Sequence, residues 1–102
     1  MSSTYPSPSA LAPTTVSNAS VTVAQPNPSR AGLFVFNPSA TITLWVAPTG
    51  TAAAVNGAGS IAVQPLQGLM LGPPNMSAWN NGMNAVASSA GSNVIVILEF
   101  YL

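Results

Sequence analysis

Hydrophobic and polar positions alternate most clearly between Arg30 and Val46, over R-A-G-L-F-V-F-N-P-S-A-T-I-T-L-W-V. Leu33 and Val35 alternate with Phe34 and Phe36, and Ile42, Leu44 and Val46 alternate with Thr41, Thr43 and Trp45. A period of two in β-branched and aromatic residues predicts two β-strands. Asn37-Pro38-Ser39 lies between them. Asn bonds its own backbone and Pro fixes φ at a corner, so the pair is expected to be joined by one tight turn. The rest of the chain is expected to pair with this unit or to pack on it.

Weaker copies of the pattern lie on either side. Ala19–Gln25 places Val21 and Val23 on one face, and Ser60–Gln64 does the same with Ile61 and Val63. Leu66–Leu71 reads as a strand bent at Gly68, and Met83–Ser89 as another, preceded by an Asn81-Gly82 turn expected to need positive φ. The last run, Val94 to Leu102, is apolar on both faces until Glu99. A strand of that kind belongs at the centre of a sheet or under a second subunit. Residues 1–18 differ, being rich in Ser, Thr and Pro with Pro6, Pro8 and Pro13 excluding helix. They are expected to form an extended arm ahead of a 19–102 domain, with Tyr5, Leu11 and Val16 as anchors on a neighbouring surface.

About seven short strands with turn signals every 8–12 residues predict an all-β protein, a small antiparallel β-sandwich or jelly roll. A chain of 102 residues without cysteine has neither disulfides nor thiolate metal sites to staple a small core. Such domains commonly gain stability by oligomerising.

Charge changes the picture more than size does. Arg30 and Glu99 are the only charged side chains, and histidine is absent. Nucleic-acid binding through phosphates needs several Lys or Arg, so no nucleic-acid partner is expected. No polybasic patch, secretory leader or apolar run long enough to span a bilayer is present, so no membrane partner is expected either. Near-zero net charge removes the repulsion that keeps copies apart. One carboxylate with no base to activate a hydroxyl is too little for general acid–base or nucleophilic catalysis. No enzyme, cofactor or metal ion is expected.

The candidate residues are therefore few. Arg30 begins the first central strand and Glu99 lies near the end of the last, so antiparallel neighbours would bring them together as an ion pair, within one chain or between subunits; the other reading is two solvated charges far apart. Trp79, in the loop after Pro73-Pro74, and Tyr101 are candidate interface residues, since aromatics concentrate at association hot spots. Trp45, Trp79, Tyr5 and Tyr101 also admit a sugar-stacking platform, although Trp45 within a strand reads better as core or interface.

Four motifs, R-x-G-L-x-x-x-N-P-S at Arg30–Ser39, G-S-I-x-V at Gly59–Val63, A-V-A-S-S-A-G at Ala85–Gly91 and V-x-V-x-L-E at Val94–Glu99, resemble small β-proteins of tailed bacteriophages. That resemblance implies a virion component, most simply a capsid decoration (cement) protein: a jelly-roll homotrimer made in the host bacterial cytoplasm and seated on the capsid surface between major capsid protein subunits. A tail, neck or head-fibre module is the second reading, and a carbohydrate-binding module the third.

Overall fold

The computed structural model describes residues 7–10, 14–48, 51–72 and 81–101. Among the described residues there are nine strand segments: β1 (Ser7–Ala10), β2 (Thr14–Val16), β3 (Val21–Ala24), β4 (Arg30–Phe36), β5 (Leu44–Ala47), β6 (Ile61–Val63), β7 (Gly68–Leu71), β8 (Met83–Ala87) and β9 (Asn93–Tyr101). Among the described residues no helix occurs, and so none is long and apolar enough to cross a membrane.

The segments β1 and β2 lie along successive lengths of β9, with Ala10 opposite Leu98 and Thr14 opposite Ile95. They act as one interrupted edge strand, which gives eight strand positions rather than about seven. One antiparallel sheet then runs β1/β2–β9–β4–β7 and the other β3–β8–β5–β6. Pairing proceeds from the ends of the chain inward: β1/β2 with β9, β3 with β8, β4 with β7, and β5 with β6. A long antiparallel ribbon rolled up in this way, with β5–β6 as its tip, is a jelly roll.

The core lies between the sheets. Leu33, Val35, Leu44, Val46, Met83, Ala85, Ile95 and Ile97 project into it from four strands. Strand β9 is central, between β1/β2 and β4. Its odd-numbered residues Ile95, Ile97 and Glu99 are buried, while Val96, Leu98 and Phe100 alternate with them on the partly exposed outer face.

Two sequence expectations are corrected. Leu33–Phe36 and Leu44–Val46 do not pair with each other, because β4 and β5 belong to opposite sheets. Asn37 makes the corner between them. Its fully buried amide donates to the carbonyls of Ile42 (2.7 Å) and Val63 (2.9 Å), and its side-chain oxygen accepts from the Ser39 amide (3.0 Å). A residue that satisfies three backbone groups at once suits a corner where the chain leaves one sheet for the other. The second correction concerns Gly82, which has no positive φ. A side chain there would press on the Ala24 carbonyl oxygen and the Pro26 ring, both 3.0 Å from a Cβ. Close approach, and not turn geometry, is what requires glycine at that position.

The N-terminal segment is part of the sandwich where it is described. Thr14–Val16 is paired with Asn93–Ile95, and Val16 is fully buried in the core.

Candidate functional site

Polar chemistry gathers at one end of the β4–β9 pair. The register runs Leu33 opposite Glu99 and Gly32 opposite Phe100, then shifts so that Arg30 faces Tyr101. Strict alternation from Leu33 would turn Arg30 away from the core. The extra residue of the bulge re-aims it inward, a common use of this irregularity.

Arg30 and Glu99 therefore meet between the sheets, with Nη1 donating to Oε2 at 3.1 Å and side chains 1% and 10% exposed. Arg30 Nη2 also donates to the carbonyl of Asn81, at 2.6 Å. The Tyr101 hydroxyl donates to the same Glu99 oxygen at 2.7 Å and accepts from Asn27 Nδ2 at 2.9 Å. The backbone amide of Arg30 donates to the Asn27 carbonyl at 3.1 Å. Five segments thus converge: β4, β9, the 25–29 loop, the start of β8 and, through pairing, β1. The hydrogen bond to Glu99, followed by burial and by the carboxylate's charge, raises the Tyr101 pKa above its ordinary value.

A cavity of about 340 Å³ opens beside the network, walled by Thr22 to Pro28 together with Arg30 and Glu99. Its charges cancel. Among the described residues no cluster of three His, Cys, Asp or Glu side chains is present to hold a metal ion. What the arrangement does is fix geometry: one carboxylate oxygen receives both a guanidinium and a phenol, so β4 and β9 are held in one register.

The residues singled out from sequence separate into three groups. Arg30, Glu99 and Tyr101 come together in this network, Tyr101 with its hydroxyl turned inward. Val16 does not reach an outside surface, because pairing on β9 directs it into the core. Tyr5, Leu11 and Trp79 lie outside the described residues. Trp45 packs with Val86, Ala47 and Ala53 on the outer side of the second sheet.

Sequence reasoning missed Asn27, the Asn81 carbonyl and the reach of Asn37 beyond its own turn to Ile42 and Val63. Asn27-Pro28 and Asn37-Pro38 have the same local signature, and nothing in either pair indicates which Asn caps a corner and which supports a tyrosine. No protein-family model and no curated protein matches this chain.

Proposed function

We propose that this chain is a structural virion protein of the capsid-decoration type, binding between major capsid subunits and stabilising the head without catalysing a reaction. The observation that carries the reading is the fate of its charges. Arg30 and Glu99 are the whole ionic complement of the sequence, and both are buried (2% and 7% exposed). No ionised side chain is left outside to activate a nucleophile or move a proton. Such a surface works by shape, apolar contact and hydrogen bonding.

The residues that carry the phage resemblance support the same reading. Arg30, Asn37 and Glu99 are the ones that set the bulge, the corner and the register, so the likeness is one of architecture. The jelly roll itself hosts many functions and adds little.

The experiment is a count of copies in purified particles by quantitative gel. Hundreds of copies per particle, on capsid lattice positions, are expected. A dozen or fewer would favour the second reading, a tail, neck or head-fibre module. Absence from particles would overturn both. The carbohydrate reading has less support, since Trp45 is packed under Ala53 and Tyr101 is engaged with Glu99.

A further inference from the structure

The two sheets differ on their outer faces. On the β3–β8–β5–β6 sheet, Trp45 and Val86 are packed with Ala53 of the 51–60 loop. Beside them Thr22 donates to Asn84 (2.7 Å) and Asn84 donates to the Thr51 carbonyl (2.6 Å). Where it is open that side is mixed, since Val21 and Ile61 on its edge strands and Val55 in the loop are 39%, 39% and 45% exposed. On the β9–β4–β7 part of the other sheet the outward positions are apolar throughout and form one continuous surface. Register sets Met70, Phe34 and Leu98 in one row across it, and Phe36 beside Val96 in the next. Phe100 and Val94 extend the surface along β9, and Val94 and Met70 are 44% and 36% exposed.

This apolar face is also flat. The Phe34 ring lies across Gly68 so closely that a side chain there has no room, and the Met70 methyl stands 3.0 Å from where a Cβ on Gly32 would be. Two large side chains are laid down over two glycines instead of standing up from the sheet.

We propose that this face is the seat of a second copy of the chain, packed sheet against sheet about a two-fold axis. The inference rests on the reading that the protein works by association, and names the surface and the partner. Three observations select a second copy. First, the face has no charged side chain, and neither has the rest of the exterior, so no side-chain repulsion opposes two copies and no charge pattern asks for a different partner. Second, a flat apolar face is complementary to itself, which favours an isologous pair over the trimer that the resemblance implies. Third, four strands about 4.8 Å apart and up to seven residues long at about 3.4 Å give at most roughly 450 Å² per copy, about 900 Å² for the pair, the size of a small, transient interface. Pairing is accordingly expected in the micromolar range.

The test is light scattering with sedimentation equilibrium on the full chain and on three variants, each checked for native fold by circular dichroism. The unaltered protein is expected at twice 10.2 kDa when its concentration is tens of micromolar. Val96→Glu and the milder Val94→Glu should weaken pairing at least tenfold, roughly the cost of burying one unpaired charge at minimum. Ala58→Glu, with the same charge on the 51–60 loop, should pair normally. If Val96→Glu fails to fold, Val94→Glu decides. A single-chain or trimeric mass for the unaltered protein, or pairing undiminished in the two face variants, overturns the proposal. So does pairing that weakens between about 0.05 and about 0.5 M NaCl, since salt screens only charge-driven contact. A single-chain protein present in hundreds of copies on particles would overturn this inference and leave the proposed function standing.

Discussion

The side-chain amide of Asn37 donates to the carbonyl of Val63, 26 residues further along the chain, and to that of Ile42 beside it. One small residue thereby ties the β4–β5 corner to the end of β6. Asn37→Ala would leave those buried carbonyls without their donor, a loss of about 3 kcal/mol or more. For a domain of this size the thermal midpoint should fall by roughly 15 °C. Asn37→Asp should be worse, because it turns a carboxylate toward two carbonyl oxygens. A calorimetric scan checks both, and a midpoint for Asn37→Ala within a few degrees of the parent would refute the role.

Strand β9 is apolar on both faces, so hydrophobic patterning by itself gives a weak choice between its registers. The Arg30–Glu99 pair supplies the choice. Glu99→Gln or Arg30→Met alone strands a buried charge and is expected to cost about 3–5 kcal/mol. Arg30→Met with Glu99→Leu should recover most of that stability while admitting slipped pairings. The measurement is an amide nitrogen–proton spectrum. More peaks than residues in the double variant would show the slip, whereas one sharp set would mean that the pair does not select register.

Alkaline pH should act through Tyr101. Its pKa is raised above the ordinary tyrosine value of 10.0, chiefly by its hydrogen bond to Glu99, and the protonated phenol is the form that the folded state prefers. The stabilisation is then complete below the unfolded value and is lost as pH rises through the folded one. The thermal midpoint should be level up to about pH 10 and fall beyond it. Tyr101→Phe should lower the plateau and flatten the fall; an unchanged alkaline slope would dissociate the tyrosine from it.

Leu66 sits at φ 60°, 61% exposed, with its amide shared between the Asn37 and Ser39 carbonyls (2.9 and 3.1 Å). A leucine in left-handed backbone is strained by about 1–2 kcal/mol. Leu66→Asn or Leu66→Gly keeps the amide in place and is expected to raise stability by about 1 kcal/mol. Loss of stability on denaturant titration would contradict this.

Removing residues 1–18 should damage the fold itself. Truncation takes away both partners along one side of β9 and the fully buried Val16. Aggregation through the bared edge is the expected result. A truncated protein that stays folded and soluble would restore the view of this segment as a detachable arm.

Much of this architecture is legible in the sequence because period-two alternation is a local property. The strand at 30–36, the two-sided run at 94–101 and the nearness of Arg30 to Glu99 at one end of an antiparallel pair follow from residue order. What escapes is what depends on partners far away. Asn37-Pro38-Ser39 announces a turn, but whether the chain turns within a sheet or crosses to the other is decided by carbonyls at Ile42 and Val63. The bulge at Ala31 has no composition of its own, yet it determines which way Arg30 points. Thr14–Val16 looks like arm because its neighbours are Ser, Thr and Pro; only the ladder on β9 reveals a core valine.

The burial of Arg30 and Glu99 also bears on how the protein stays in solution. Ordinary proteins are least soluble where positive and negative surface groups balance, and small additions of salt relieve that attraction. With no ionised side chain outside, the chain termini carry nearly all the exterior charge at neutral pH. Hydration is left mainly to hydroxyl, amide and backbone groups. Solubility should therefore show only a shallow isoelectric minimum and little salting-in. Excluded salts such as sulfate should only lower it, step by step, as they drive its apolar face out of water.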